Sequence, residues 1–210
     1  MKPVSRLRLG AQAARATVRG LHIVGLAIGL GVLLGQAAAA NGEAPMPPAR
    51  FATFLARMLA YDTNLTARSG KRVVVAVLYD GADAGSTEAG TAMAAAIKTF
   101  ELMRILDLPV ETHSLAVTSV ADLDQAVEKF GIGTFIVCPG SDKQRALIKS
   151  VSEKRKVVTV GRASEQVRAG LSIAVYLENG KSKILVNLPA SRREGAAFSS
   201  DLLRLSEVIQ

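Results

Sequence analysis

The chain of 210 residues has no tryptophan, one cysteine, two histidines and only 4% aromatic residues. Each shortage removes a class of chemistry. Cys138 has no partner for an internal disulfide, and its place in the apolar run "TFIVCPG" reads as a small buried hydrophobe. His22 falls in the leader described below. That leaves His113 as the one imidazole for a Ser–His–acid triad or a metal centre, with no cysteine at ligand spacing. The chain also lacks a P-loop, a G-x-G-x-x-G after a strand, H-E-x-x-H and G-x-S-x-G. These gaps leave no candidate catalytic residues, metal ligands or cofactor.

Acidic residues are missing from the start: none precedes Glu43, whereas Lys2, Arg6, Arg8, Arg15 and Arg19 do. An apolar run from Leu21 to Leu34 and the alanines 37–40 follow, the pattern of a secretory signal peptide (1–40) cleaved near Ala39 or Ala40. The alternative is a retained inner-membrane anchor, because the apolar stretch approaches the roughly 20 residues of a spanning helix. Gly25, Gly29, Gly31 and Gly35 interrupt it. The net charge of +8 then falls to +3, with 21 basic against 18 acidic residues beyond the leader. A nucleic-acid partner, which calls for a basic patch and stacking aromatics, is not expected.

Some 170 residues remain, enough for one domain with a core. Residues 41–48, "NGEAPMPP", read as a flexible Pro-rich spacer, and 49–210 as the folded domain. Pro47 and Pro48 open a helix whose apolar face carries Phe51, Phe54, Leu55, Met58 and Leu59. Residues 62–71 read as polar loop. "RVVVAVLYDG" is a strand covered on both faces. A helix is expected over 87–106, with Met93, Ile97, Phe100 and Met103 inside and Pro109 ending it. "VETHSLAV" is a weaker strand near an edge. Ser119 and Asp122 make a capping box and Gly131 stops the helix. "GTFIVCPG" is a second buried strand, Ser141 and Gln144 cap a helix to Lys154, and "KVVTVGR" is a third strand.

Asn179-Gly180 between β-rich runs signals a hairpin, with Glu178 facing Lys181, Val175 facing Ile184 and Ile173 facing Val186. Ser199 or Ser200 caps a last helix with Leu202, Leu203, Leu205, Val208 and Ile209 for packing. The fold class is α/β, a three-layer sandwich: a mostly parallel sheet, helices on both faces and a C-terminal antiparallel hairpin.

In such a sheet, loops at the carboxyl ends of the strands gather along one edge, where ligands bind. Here they hold Asp80, Gly81, Gly140, Ser141, Gly161 and Arg162, with helix N-termini expected at Thr87, Ser141 and Ser164. Ordinary turn chemistry explains the same residues. The run "EKRK" at 153–156 reads as a solvated helix end.

The run "VVTVGRASEQVRAGLSIAVYLENGKSKILVNLPASRREGAAFSSDLLRLSEVI" resembles the C-terminal half of the YfiR family of periplasmic regulators (YfiR/HmsC-like). "ILVNL" and "FSSDLLRLSEVI" stand at the second hairpin strand and the final helix. "FIVCPG" and "PPARFATFLARML" fit the earlier part. The chain departs from the family in having one cysteine, so control through an internal disulfide is excluded by count, and in reducing a double glycine to Gly170. The resemblance implies a periplasmic, often dimeric, non-enzymatic α/β domain. Such a domain restrains an inner-membrane signalling protein such as a diguanylate cyclase or sensor kinase, and an outer-membrane protein relieves the restraint. Envelope or redox signals then reach cyclic-di-GMP and biofilm formation. Arg192 and Arg193 are the candidate partner-binding residues. Phe51, Phe54 and Leu55 are surface candidates whose core reading is preferred. The alternatives are a small solute-binding protein built on the strand-end loops and an exported enzyme using Asp80, Ser141 or Arg162.

Overall fold

Val73, Val75 and Val77 face one side of the central strand, and Val74, Ala76 and Leu78 the other. All six are at most 1% exposed. Side chains alternate along a strand, so a continuous apolar run demands a layer on each face. The computed structural model describes residues 42–102 and 104–210. The expected leader lies outside them, as do Met103 and the side chain of Phe100. No helix among the described residues is long and apolar enough to cross a membrane.

In chain order these residues form β1 (Glu43–Ala44), α1 (Pro48–Ala60), α2 (Leu65–Ser69), β2 (Val73–Tyr79), α3 (Ala84–Lys98), β3 (Arg104–Ile105), β4 (Leu108–Ala116), α4 (Val120–Phe130) and β5 (Thr134–Val137). There follow α5 (Arg145–Arg155), β6 (Val158–Gly161), α6 (Ser164–Arg168), β7 (Ile173–Glu178), β8 (Lys181–Asn187), α7 (Leu188–Arg193), α8 (Ser200–Arg204) and β9 (Glu207–Ile209). Tight 3-10 turns occupy Thr99–Leu102 and Ser141–Gln144.

The sheet runs β3-β4-β2-β5-β6-β7-β8-β9, with β1 added to β7. β4, β2, β5, β6 and β7 are parallel, and β7–β8 is the antiparallel hairpin. Its register pairs Ile173 with Val186, Val175 with Ile184 and Glu178 with Lys181, as the Asn-Gly turn predicts. One core lies beneath α1 and α3, around Phe51, Leu55, Met93 and Ile136. The other lies beneath α4 and α5, around Leu78, Leu123, Phe135, Ile148 and Tyr176. The α/β sandwich read from the sequence is the observed architecture.

Local chemistry explains most boundaries. Ser119 accepts from the Asp122 N–H at 3.1 Å and donates to its carboxylate at 2.6 Å, and Gly131 closes α4 in the left-handed region. α3 and β2 approach closely at Gly90, where an added Cβ would lie 2.9 Å from the Tyr79 Cβ. A strand Cβ cannot swing away. Gly90→Val is therefore expected to cost about 1–3 kcal/mol by overpacking, despite the helix propensity gained over glycine. Urea unfolding followed by far-UV circular dichroism measures it; an unchanged midpoint would contradict the close contact.

Five expectations are corrected. Residues 42–47 are docked rather than a loose spacer, since Met46 is fully buried and β1 pairs with β7. The segment 62–71 contains α2, because Leu65 is buried and Asp62 ties down the chain before it. The helix expected over 87–106 starts at Ala84 under an Asp83 cap (Asp83 Oδ1 to Ser86 N, 2.6 Å) and ends at Lys98. Leu106 and Asp107 then turn the chain at φ of 49° and 63°, closed by Arg104 Nε donating to the Asp107 carbonyl at 2.8 Å. Pro109 thus sits in β4 opposite Arg104 instead of ending a helix. Ser141 starts a 3-10 turn without a side-chain cap, and α5 begins at Arg145. The last helix is one turn, capped by Ser199; Val208 and Ile209 join β9, parallel to β8, and Leu205 is 69% exposed. An open strand edge offers unpaired backbone groups that outweigh continuing a short helix.

Candidate binding site

The strand order reverses beside β2, where β4 lies on one side and β5 on the other. Crevices form at such switch points, at the carboxyl ends of the strands. The structure places Asp80 and Gly81 after β2, Gly140 and Ser141 after β5, and Gly161 and Arg162 at the end of β6.

Asp80 is 7% exposed. Its N–H donates to Ser86 Oγ at 2.9 Å, and its carboxylate accepts from the Ala82 N–H at 2.9 Å. The Gln144 side chain, the Ala82 N–H and the charge of Lys143 hold its carboxyl below the usual range. Gly140, at φ 85°, must be glycine because a Cβ would sit 2.9 Å from that of Ser86. Ser141 is 2% exposed and its hydroxyl, like Gln144 Oε1 nearby, has no hydrogen-bond partner among the described residues. Gly161 is pressed against Gln166, whose Oε1 accepts from the Arg162 N–H at 2.6 Å and whose Nε2 donates to the Val137 carbonyl at 3.3 Å.

Arg162 is 6% exposed, with its guanidinium 5.8 Å from the Phe51 ring centroid. Nη2 donates to the Met46 carbonyl at 2.7 Å, and Nε has no partner among the described residues. Burial lowers the guanidinium's pKa and pushes the neighbouring Cys138 thiol up to about 11, so that thiol stays protonated at neutral pH. The helix starts expected at Thr87, Ser141 and Ser164 fall differently: α3 is capped by Asp83, and α5 begins after Gln144. Ser164 does open α6, where its N–H and hydroxyl each donate to the Glu43 carboxylate at 2.7 Å.

Arg192 and Arg193, which the sequence reads as a basic turn, form the last turn of helix α7 on another part of the molecule. Arg193 pairs with Glu153 at 2.7 Å. Arg192 is exposed and, among the described residues, makes no ion pair. It lines a cavity of about 210 Å³ whose apolar walls include Leu188, Ala196, Phe198 and Leu203. In the run "EKRK", Lys154 and Arg155 pair with Asp124 of α4, which also drives the Asp124 carboxyl far below its usual range. His113 is stacked on Phe130 at 4.2 Å, with Nε2 2.9 Å from Glu111.

Residue patterns did not single out Glu194 or Glu43. Glu194 is 1% exposed. Its carboxylate accepts from the Thr159 N–H (2.7 Å), the Thr159 hydroxyl (2.8 Å), the Ser152 hydroxyl (2.9 Å) and the Ser172 hydroxyl. A short distance away, Asp62 accepts from the Ala197 N–H at 2.9 Å and pairs with Arg68. Two buried carboxylates therefore hold the turn that presents Arg192. Only the isolation of Glu194 inside a basic turn could have hinted at this.

A family model described as YfiR/HmsC-like matches residues 52–207. No match to this chain is found among curated proteins. Two solved structures share the fold: an ABC domain in complex with L-Trp from Streptococcus pneumonia (TM-score 0.53, 14% identity) and a conserved domain protein from Vibrio cholerae (TM-score 0.54, 10% identity). Each alignment covers 78% of this chain and 60% of the other, so the chain spans about three-fifths of these relatives' length.

Proposed function

This chain belongs to the YfiR/HmsC-like family of periplasmic regulators, and from that premise we propose that it is a non-enzymatic regulator of an inner-membrane signalling protein, a diguanylate cyclase or sensor kinase, acting by protein–protein contact. The observation that carries this reading is the family match across residues 52–207. The chain is exported with its leader cleaved near Ala40, and an outer-membrane protein relieves the restraint. Binding one state of the partner more tightly shifts its population toward that state. Arg192, beside a cavity of side-chain size, is suited to a partner surface that presents an apolar side chain next to a carboxylate.

The test is crosslinking in cells followed by capture of the full chain. Native protein is expected to bring down one inner-membrane protein. Arg192→Glu with Arg193→Glu should reduce that capture about tenfold while changing stability by no more than about 1 kcal/mol, since both side chains are exposed. The reading fails if no inner-membrane protein is captured, or if the charge reversal leaves capture unchanged.

A second reading, solute binding, is favoured by the Ser141 hydroxyl and Gln144 Oε1, which have no hydrogen-bond partner among the described residues, near the carboxyl ends of the strands beside the switch point. A saturable rise in melting temperature with amino acids or other small polar solutes supports it. Loss of that rise in Ser141→Ala would locate the ligand.

A further inference from the structure

Residues 42–47 cross the ends of β6 and β7 as an extended strap, and each contact is one a bound peptide would make. The Asn179 N–H donates to the Gly42 carbonyl at 3.1 Å, and Glu43 and Ala44 pair antiparallel with Glu178 and Leu177. Glu43 is held by Ser164 through both carboxylate oxygens, Met46 is fully buried as an apolar anchor, and the Met46 carbonyl accepts from Arg162. Main-chain pairing supplies affinity and the side-chain pockets supply specificity, as in strand addition by peptides.

One contact is poorly matched. Arg162 is 94% buried, and among the described residues its Nε has no partner and its guanidinium makes no ion pair. A desolvated cation facing one neutral carbonyl is costly, whereas a carboxylate in that place forms a charge-assisted, two-pronged bond. The strap's advantage is its tether, which keeps its local concentration high. A competing segment gains where the strap is weakest, at Arg162.

We propose that the groove formed by β7, Ser164, Phe51 and Arg162 docks an extended acidic segment of the membrane partner, and that residues 42–47 occupy this groove in cis until displaced. This rests on the regulator reading for the source of the segment. The groove's preference for a carboxylate at Arg162 stands on the geometry alone.

A labelled peptide of residues 42–46 with a free C-terminal carboxylate places that group where the Met46 carbonyl now sits; its C-terminal amide is the control. With the full chain carrying Glu43→Ala and Met46→Ala to loosen the strap, the acid is expected to bind about tenfold tighter than the amide. Arg162→Lys, which keeps a cation but loses the fork, should shrink that ratio, and Arg162→Gln should erase it, while the melting curve reports the fold. Ala44→Cys with Leu177→Cys, at paired positions of β1 and β7, should lock the strap and block the peptide, and reductant should restore binding. Equal affinity for acid and amide, or undiminished binding to the locked chain, overturns the groove. Mass doubling of the loosened chain that the lock abolishes also overturns it, by assigning the groove to a second copy. If the locked chain still crosslinks to its membrane partner, the partner assignment is overturned and the regulator reading survives. If the acid peptide binds as expected but no membrane protein is ever captured, the groove stands and the regulator reading falls.

Discussion

Glu194→Ala lowers the unfolding free energy by about 3–5 kcal/mol. The carboxylate collects four donors from three parts of the chain: Ser152 in α5, Thr159 in β6 and Ser172 just before β7. The Thr159 N–H lies where β7 has not yet begun to pair, because the β6–β7 ladder starts at Val160 and Ile173. Glu194 supplies the missing acceptor. Alanine would leave that N–H and the Ser172 hydroxyl buried without an acceptor, while Ser152 keeps the Lys149 carbonyl and Thr159 Oγ1 keeps the Ser172 N–H; each unsatisfied group costs roughly 1–3 kcal/mol. Glu194→Gln keeps the volume and one acceptor but aims an amide N–H₂ at existing donors, so an intermediate loss of about 1–3 kcal/mol is expected.

The same residue sets a pH signature. Burial raises the Glu194 pKa above its ordinary value of 4.5, against the pull of its hydrogen bonds. Between that value and the raised one, the folded state holds a proton that the unfolded state has released. The stabilisation is therefore fully present below pH 4.5 and is lost as pH rises through the folded pKa. Asp80, Asp122 and Asp124 have lowered pKa values and act the opposite way, losing their contributions as pH falls. The difference between native and Glu194→Gln urea midpoints isolates the glutamate, and it should widen from about pH 8 to about pH 4. A difference that shrinks on acidification would contradict the raised pKa.

Phe51→Ala is expected to cost about 3–5 kcal/mol. For a domain of this size that is a fall of about 6–20 °C in Tm. Phe51 is fully buried in the first turns of α1, packed on the core under the sheet and beside the Arg162 guanidinium. Its loss opens a cavity and removes a wall of the groove that holds the strap. Phe54, half-buried on the same helix, should cost clearly less when truncated. Thermal and urea unfolding of the two variants measure this. Comparable small losses for both would move Phe51 from the core to the protein surface.

The hairpin and the capping box were legible because their causes are local. Asn179-Gly180 sets its own register, and Ser119 finds Asp122 three residues away. The carboxyl-edge loops were legible as places, since strand ends follow from the β-α alternation, but what occupies that edge was not. Ser164 and Glu43 meet across 121 residues, and Arg162 and Met46 across 116. A Pro-rich stretch with one buried methionine carries no local sign of docking. Nor does "SRREG" announce that its glutamate turns inward while Arg192 turns out.

The sequence by itself determined the layers, the hairpin register and the Ser119 and Gly131 ends of α4, because side-chain periodicity and turn chemistry act over a few residues. Tertiary structure alone decided that the strap fills a groove, that Glu194 completes the edge of β6, and that the last residues pair as β9 instead of extending α8. Those outcomes satisfy polar groups left over once the sheet has closed. Which groups are left over depends on partners that only the finished fold brings together.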